Sequence, residues 1–376
     1  MIFFGGSIMS SRKIPVVLVT GYLGSGKTTL MQQLLSQEKR KVALIVNDMG
    51  SINIDASILN KTGNQISQIE LVEMQNGCIC CTLRDEFMDE IERLAKGDEV
   101  EAIFVEASGI SEPSSIAGAF VNYEESTDTK VYLKTVVSVV DVDRIYREFL
   151  NNMEGDEDTE EGDIINLIMD QIEFCNVMLL NKTDLLSKEQ FEEVKAALRN
   201  IQKKADMIPC ERGQVDLDLL LNREDFEFEE CLASSSVQEA LNNCEADDEK
   251  ACVDEYGISS FVLEERRPFN REKFNKLVDE YPETLIRSKG YMWFSDDWKH
   301  VQLFEQAGRN ASITELNEWV SAWPNEELEN LEKDYPDIRD DWDSVYGDRI
   351  NQLVFIGKGY EKSEIMKLLN DCIENE

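Results

Sequence analysis

Short apolar runs alternate with amphipathic stretches through the first part of the chain. Each run is almost continuous in Val, Ile and Leu, which is typical of strands buried on both faces of a parallel sheet. The stretches between them carry apolar residues at helical spacing, as at Leu30 and Leu34 in a helix predicted over 29–35. The alternation predicts an α/β domain with a mostly parallel sheet and helices on both faces. The predicted strands are 14–19, 42–46, 69–72, 102–105, 136–140, 177–180 and 206–210, and further helices are predicted over 164–174 and 189–205.

A different pattern begins after an acidic stretch that is poor in apolar residues. We predict strands over 258–263, 286–294, 301–304 and 353–356, with a helix from Asn270 to Tyr281 capped by Asn270 and a final helix over 361–373. These elements form a smaller α+β domain. The predicted organisation is a domain over 1–221, an acidic linker with room for one short helix over 222–256, and a C-terminal domain over 257–376.

The net charge of the chain limits the kinds of partner that it can bind. The chain of 376 residues has 38 basic and 76 acidic residues, a formal net charge of −38. Such a chain repels nucleic acid and anionic membrane surfaces, and no apolar run reaches the length of a membrane span. With nine cysteines and no export signal, we expect a reducing, cytoplasmic location, and Met9 is an alternative to Met1 as the start. The acidic run 154–163 is expected to be a solvated loop.

One stretch follows the first predicted strand and opens the first helix, running from Gly21 through Gly24, Ser25, Gly26 and Lys27 to Thr28 and Thr29. It satisfies the phosphate-binding pattern G-x-x-x-x-G-K-[ST]. The glycines let backbone N–H groups face the phosphates, and the helix N-terminus adds its positive dipole end. Lys27 can reach the outer phosphates, and the Thr28 hydroxyl can bind Mg²⁺.

A second nucleotide signal, Asn181-Lys182-Thr183-Asp184, directly follows the strand at 177–180. A carboxylate at Asp184 can accept both the N1–H and the amine of guanine, a pair that adenine does not offer. Asn181 is expected to contact the rim of the base, and the stem of Lys182 to lie along the ring. A capping turn is the alternative for this motif on its own.

A carboxylate ends the strand at 102–105. Glu106, in Glu106-Ala107-Ser108-Gly109, can hold a Mg²⁺-bound water or orient the attacking water. The alternative is a surface glutamate with no such role.

Three thiols, Cys78, Cys80 and Cys81, lie within four residues ahead of a predicted helix. Thiols at a helix N-terminus ionise easily, and thiolates favour ions such as Zn²⁺. Since no second C-x₂-C pair is evident, an exchangeable site is favoured over a structural zinc knuckle. Redox thiols or buried cysteines are the alternatives. The remaining cysteines are expected to be separate core or surface residues, with a second thiol site in the linker as a weaker alternative, and His300 is expected to be exposed.

These motifs together resemble the CobW family of metallochaperone GTPases, over nearly the whole chain. The resemblance includes 47–50, interpreted as a switch segment with Asp48, the cysteine motif at 77–81, and 287–290 with 347–349 in the second domain. It implies GTP hydrolysis with Lys27, Glu106 and Asp48 as catalytic residues, coupled to handling of zinc or sometimes cobalt. It also implies GTP, Mg²⁺ and Zn²⁺ as ligands and a metal-requiring client protein. The chain departs from the family in lacking a histidine-rich stretch and in having Ser51 where a second switch carboxylate is common.

The leading interpretation is thus a GTP-dependent zinc chaperone, monomeric or homodimeric. The alternatives are a GTP-binding regulatory protein that senses metal or thiol oxidation, and a P-loop kinase or ATPase acting on a small molecule.

Overall fold

A computed structural model of the chain describes residues 13–37, 40–46, 69–73, 84–96, 100–151, 162–235, 257–340 and 342–374. Within these ranges the first part of the chain forms one sheet. Its strands are β1 (Ile14–Thr20), β2 (Val42–Val46), β3 (Ile69–Glu73), β4 (Ala102–Glu106), β5 (Val131–Asp141), β6 (Val177–Asn181) and β7 (Asp206–Pro209).

The first sheet has the order β3-β2-β4-β1-β5-β6-β7, and every neighbouring pair is parallel. The predicted α/β class is confirmed. β1 is central, with Val19 opposite Glu106 of β4 and Val137 of β5. The carboxyl ends of parallel strands all lie at the same edge of the sheet. The loops that follow β1, β4 and β6 are therefore close together.

The sequence pattern predicted some of the helices around this sheet and missed others. The helix after β1 was predicted, whereas the helix after β4 was missed because its apolar residues alternate with Ser, Gly and Asn. Pro113 begins that helix, a position where the missing N–H costs nothing. The helices are α1 (Lys27–Gln37), α2 (Arg84–Ala95), α3 (Pro113–Ser126), α4 (Val142–Ile145, continuing as a π-helical turn Tyr146–Leu150), α5 (Gly162–Glu173) and α6 (Lys188–Ile201).

Two predicted boundaries in this region are wrong. Helix α6 begins at a capping box between Ser187 and Gln190 but ends at Ile201, because Gln202 is extended. The acidic run predicted as a loop through 163 is shorter, since Asp163 already belongs to α5. The rest of that run, 154–161, lies outside the described residues.

The beginning of the predicted linker is folded. Two short helices, α7 (Asp218–Leu221) and α8 (Phe228–Ala233), lie on either side of residue 222. Phe226 is buried, and the ring of Phe174 contacts the rings of Phe226 and Phe228. Residues 222–235 therefore do not behave as a spacer; residues 236–256 lie outside the described part.

The C-terminal region contains five strands and three longer helices. They are β8 (Ile258–Glu265), α9 (Arg271–Asp279), β9 (Leu285–Phe294), β10 (Asp297–Ala307), β11 (Asn310–Glu318), α10 (Asn325–Asp334), β12 (Asn351–Lys358) and α11 (Lys362–Cys372). The strands form an antiparallel sheet in the order β11-β10-β9-β12-β8. The predicted cap is confirmed, since the Asn270 side chain accepts a hydrogen bond from Lys273 N at 3.0 Å.

The core of this sheet is aromatic. The rings of Phe269 and Phe274 stack with centroids 5.2 Å apart, and Phe274 meets Phe304 edge to face at the same distance.

Arg287 is fully buried on β9 and donates to Asn166 Oδ1 at 3.0 Å.

The contacts of the chain divide it into two compact units. One comprises 1–142, 170–185 and 205–232 and contains the parallel sheet; the other comprises 143–169, 186–204 and 233–376 and contains the antiparallel sheet. Segments 143–169 and 186–204 thus group with the second sheet although they lie between strands of the first. In the part of the chain that the structure describes, no helix combines the length and the apolar character that crossing a membrane requires.

Candidate nucleotide-binding site

The loop between β1 and α1 has a backbone that only glycines adopt readily. Gly21, Gly24 and Gly26 have φ values of 140°, 79° and 108°. A Cβ added to Gly21 would lie 2.5 Å from Val139 O, and one added to Gly26 would lie 2.3 Å from Asn181 Nδ2. At Gly24 an added Cβ would meet nothing within 4 Å. The first and last glycines are therefore required by packing inside the protein, whereas Gly24 faces open space at the centre of the loop.

Lys27 is buried at the start of α1, with its ammonium directed back into the loop. Nζ donates to the carbonyl oxygens of Gly21 at 2.6 Å and Tyr22 at 3.2 Å. Burial lowers the pKa of the Lys27 ammonium, and the nearby Glu106 carboxylate opposes that shift. A buried cation that burial disfavours is well suited to an anionic ligand.

The next residue links the loop to β4. Thr28 Oγ1 donates to Glu106 Oε1 at 3.1 Å, and the Glu106 side chain is only 7% exposed at the end of its strand. A hydroxyl and a carboxylate at this separation provide the hard oxygen donors that Mg²⁺ prefers. Thr29, also predicted to bind the nucleotide, is exposed in the first turn of α1.

Two hydroxyls at the loop are buried without a hydrogen-bond partner among the described residues. They belong to Thr20, which ends β1, and to Ser25, inside the loop. Buried hydroxyls are normally paired, and an unpaired one needs an explanation. A bound phosphate or a water-coordinated cation at the loop would supply the missing partners, so the residues present fit a nucleotide with its metal.

Asn181, which was predicted to contact the rim of the base, is anchored inside the protein. Its side chain is 2% exposed, and Nδ2 donates to Ser25 O at 2.8 Å. Its Oδ1 accepts from Gly213 N at 3.1 Å and from Cys210 Sγ at 3.6 Å. Both ends of the amide are engaged, so Asn181 joins the end of β6 to the glycine loop and to the loop after β7.

The other two residues of this motif that were predicted to bind the base, Lys182 and Asp184, are at least partly exposed. Lys182 has a left-handed backbone, with φ 66°, and its ammonium pairs with Asp141 at the end of β5. Asp184 is exposed in the 3₁₀ turn Thr183–Leu185. Its carboxylate is thus free of burial, as a group that selects a base requires.

The loop after β7 was missed from the sequence. Gly213 has φ 67°, and a Cβ there would lie 2.7 Å from both N and Cα of Leu30 in α1. Its neighbour Arg212 also has a positive φ of 49°. The Arg-Gly pair directly after the last strand is the signal that could have revealed this loop, because left-handed backbone there lets it approach α1 closely.

The loop after Glu106 is held from two sides. A Cβ at Gly109 would lie 2.8 Å from the Leu23 side chain, so this loop packs against the glycine loop. Gln171 of α5 is buried, and its Nε2 donates to the carbonyls of Gly109 and Ser111, both at 3.2 Å. Gln171 is therefore a positioning residue that sequence reasoning did not find.

Several predicted site residues lie outside the described residues. They are Asp48, Cys78, Cys80 and Cys81, along with the linker residues Cys244 and Cys252. The described cysteines Cys175, Cys210, Cys231 and Cys372 are buried and form no disulfide with one another, as predicted for separate core residues. The prediction for His300 is wrong: it is half-buried and pairs with Asp297.

The fold and these loops define the chain as a P-loop nucleotide-binding protein with a second, antiparallel domain. Two family descriptions match it: CobW/HypB/UreG, nucleotide-binding domain, over residues 15–209, and the cobalamin synthesis protein cobW C-terminal domain, over 258–373. The chain belongs to the CobW family.

Named relatives are similar along most of the chain. The zinc-regulated GTPase metalloprotein activator 1 of Dictyostelium discoideum is 33% identical over 96% of this chain and 80% of its own length. The zinc chaperone YjiA of Escherichia coli is 26% identical over 83% of this chain and 91% of its own length. The zinc chaperone CobW of Sinorhizobium sp is 30% identical over 56% of this chain and 62% of its own length.

Proposed function

We propose that this protein is a GTPase that binds zinc and transfers it to a client protein, with GTP hydrolysis controlling the transfer. The observation that carries the proposal is the 2.8 Å hydrogen bond from Asn181 Nδ2 to Ser25 O. It ties the base-selecting motif directly to the phosphate-binding loop, so that one rigid arrangement can hold both ends of a guanine nucleotide. The names of the relatives support the zinc-handling part.

The reaction is GTP plus water to GDP plus phosphate. The glycine loop binds the phosphates through backbone N–H groups, and Lys27 exchanges its two carbonyl partners for phosphate oxygens. Thr28 and Glu106 would hold Mg²⁺, whose charge would neutralise the charge that develops on the phosphates. Glu106 and Asp48 orient water at the γ-phosphate.

Asp184 selects guanine by accepting its N1–H and amine. We expect Asp184→Asn to weaken GTP binding by roughly 1.5–3 kcal/mol, the range for a hydrogen bond to a charged group. The same variant should bind xanthine nucleotides better, since xanthine has a carbonyl where guanine has its amine. Equal competition by ATP and GTP in the wild-type protein would contradict this assignment.

The zinc ligands are proposed to be Cys78, Cys80 and Cys81. Their thiolates suit zinc, and in the sequence they come after β3, whose carboxyl end lies at the same edge of the sheet as those of β1 and β4. A switch segment ordered by the γ-phosphate would change the surroundings of these thiols, and hydrolysis would release it. Zinc affinity should therefore differ between the GTP and GDP states, by a coupling of about 1–3 kcal/mol that acts equally in both directions.

Hydrolysis is tested with Lys27→Ala, which removes the ammonium at the outer phosphates. We expect turnover to be lost in a folded protein, whereas Lys195→Ala, an exposed lysine of α6, should hydrolyse GTP normally. Circular dichroism checks that both variants are folded. Normal turnover in a folded Lys27→Ala protein would refute the assignment.

Zinc handling is tested with a chromogenic chelator competing for zinc in the presence of a GTP analogue or GDP. The wild-type protein should hold zinc with different affinity in the two states, and Cys80→Ala should weaken binding in both while leaving GTP binding intact. Equal wild-type affinity in both states would exclude nucleotide-controlled transfer. Unchanged affinity in Cys80→Ala would exclude the thiol site.

A further inference from the structure

Three potential metal ligands converge at one end of the antiparallel sheet. His300 Nδ1 lies 3.2 and 3.1 Å from the two carboxylate oxygens of Asp297 and 3.7 Å from Glu315 Oε2. One ligand atom from each residue falls within 4.8 Å of the others. Asp297 and His300 begin β10, and Glu315 is on the edge strand β11.

An irregular stretch of backbone brings these side chains together. Pairing of β10 with β9 is interrupted between Asp297 and Gln302, and pairing with β11 shifts between His300 and Gln302. Such irregularities re-aim side chains relative to a regular strand. Gln302, directly opposite Glu315, donates from Nε2 to Asp297 Oδ2 at 3.3 Å and so orients that carboxylate.

The arrangement has more acceptors than the imidazole can satisfy. Nδ1 carries at most one proton, yet oxygens from two carboxylates surround it. The 3.7 Å separation from Glu315 is too long for a hydrogen bond. Ligands about 2.0–2.1 Å from a tetrahedral zinc ion lie roughly 3.3 Å apart, and the separations from His300 to the two carboxylates bracket that spacing.

We propose that Asp297, His300 and Glu315 form a second binding site for a divalent cation of the zinc class, built from one nitrogen and two carboxylates without sulfur. Three protein ligands leave a fourth position for water or an incoming ligand, as in exchangeable zinc sites. Glu315 is exposed, with 59% of its side chain accessible, so the ion can enter from solvent. The site uses none of the proposed thiol ligands and requires no nucleotide.

The test uses the full-length chain with Cys78, Cys80 and Cys81 replaced by Ser, which removes the proposed thiol site. Zinc is titrated calorimetrically without nucleotide, and the imidazole is followed by NMR after selective ¹⁵N-histidine labelling. Because the chain has a single histidine, every imidazole signal belongs to His300. We expect one equivalent of zinc to bind and to shift the Nδ1 resonance.

Point variants in the same background identify the ligands. His300→Gln and Glu315→Gln should each weaken zinc binding by at least about tenfold, since loss of an outer-shell partner alone typically costs about 10–100-fold. Glu318→Gln is the matched control, because this β11 carboxylate pairs with Lys299 and is not a member of the cluster. It should change affinity less than twofold.

Two results would overturn the proposal. One is an imidazole spectrum that zinc leaves unchanged, which would mean that the cluster is only a hydrogen-bonded histidine–aspartate contact. The other is equal loss of affinity in Glu318→Gln and Glu315→Gln, which would mean diffuse attraction by the acidic surface. Either result would leave the thiol site and GTP hydrolysis unaffected, so a failure here is distinguishable from a failure of the proposed function.

Discussion

Replacing Asn181 with Ala tests whether the nucleotide site depends on one buried amide. The change deprives Ser25 O of a donor at 2.8 Å and Gly213 N–H of an acceptor at 3.1 Å. Each buried group left without a partner costs roughly 1–3 kcal/mol, so complete loss without relaxation would cost roughly 2–6 kcal/mol. Since partial relaxation is normal, we expect about 3 kcal/mol, which a domain of typical stability survives.

The effect on nucleotide binding follows from the same contacts. Without the amide, the glycine loop is no longer fixed against β6, and binding must order it. We expect GTP affinity to fall about 10–100-fold, equivalent to roughly 1.4–2.8 kcal/mol. Binding is measured with a fluorescent GTP analogue, and stability by urea unfolding monitored by circular dichroism.

Asn176 provides a matched control at the opposite end of the same strand. Its Oδ1 accepts from Val136 N at 2.9 Å, away from the loops at the carboxyl ends. Asn176→Ala should lower stability by about 1 kcal/mol and leave GTP affinity unchanged. If Asn181→Ala binds GTP within twofold of Asn176→Ala, the proposed tether does not organise the site.

Three further predictions test other parts of the molecule. Gly26→Ala should weaken GTP binding about tenfold or more, because the positive φ costs roughly 1–3 kcal/mol of strain and the added Cβ would also meet Asn181. Gly24→Ala should weaken binding less, since its Cβ would meet no neighbour. Equal affinities of the two variants for the fluorescent GTP analogue would contradict a role for the contact with Asn181. Arg287→Met should lower the free energy of unfolding, measured in urea, by about 2–3 kcal/mol, because Arg287 is buried and bonded to Asn166. Arg267→Met, which removes an exposed ion pair, should lower it by less than about 1 kcal/mol. Similar losses in the two variants would contradict the stronger contribution that we assign to the buried arginine. Burial raises the thiol pKa to about 11 for Cys210 and about 12 for Cys231, so both should resist iodoacetamide at pH 8 in the folded protein by mass spectrometry. In the unfolded chain these thiols lose their protons above pH 9, whereas in the folded protein they retain them to about pH 11 for Cys210 and about pH 12 for Cys231. Between those limits each thiol should lower the free energy of unfolding by up to about 1.4 kcal/mol per pH unit. Rapid labelling of the folded protein would refute the prediction.

The strands of the first sheet were predictable because burial on both faces requires continuous apolar runs. β5 shows where that signal ends: it begins at Val131, but Lys134 interrupts the apolar run and concealed its first part. The structure accommodates this lysine by pairing it with Asp225 at 2.6 Å, a contact distant in sequence. β11 was missed for the opposite reason, because an edge strand without a buried residue carries little apolar alternation.

The nucleotide site likewise combines residues that a local motif predicts with residues that are distant in the sequence. A motif such as Gly21–Thr28 encodes its own backbone, so the sequence predicted its glycines and Lys27. The residues that hold the motif in place come from other parts of the chain. Position 213 must be glycine because a Cβ there would clash with Leu30, and Gln171 holds the neighbouring loop by donating to the carbonyl of Gly109. Which loops meet is decided by strand order, and an isolated sequence does not reveal that order.

The buried ammonium of Lys27 connects this architecture to its function. In the described structure two carbonyl oxygens satisfy it, but they carry only partial charges, and burial still lowers its pKa. Glu106 opposes that shift while also accepting from Thr28, so one carboxylate serves the lysine, the hydroxyl and the proposed metal position. A polyphosphate would compensate the lysine fully and free Glu106 to orient water. Contacts within the protein therefore fix the shape of the loop but compensate its charge incompletely, and the charge of a nucleotide would complete that compensation.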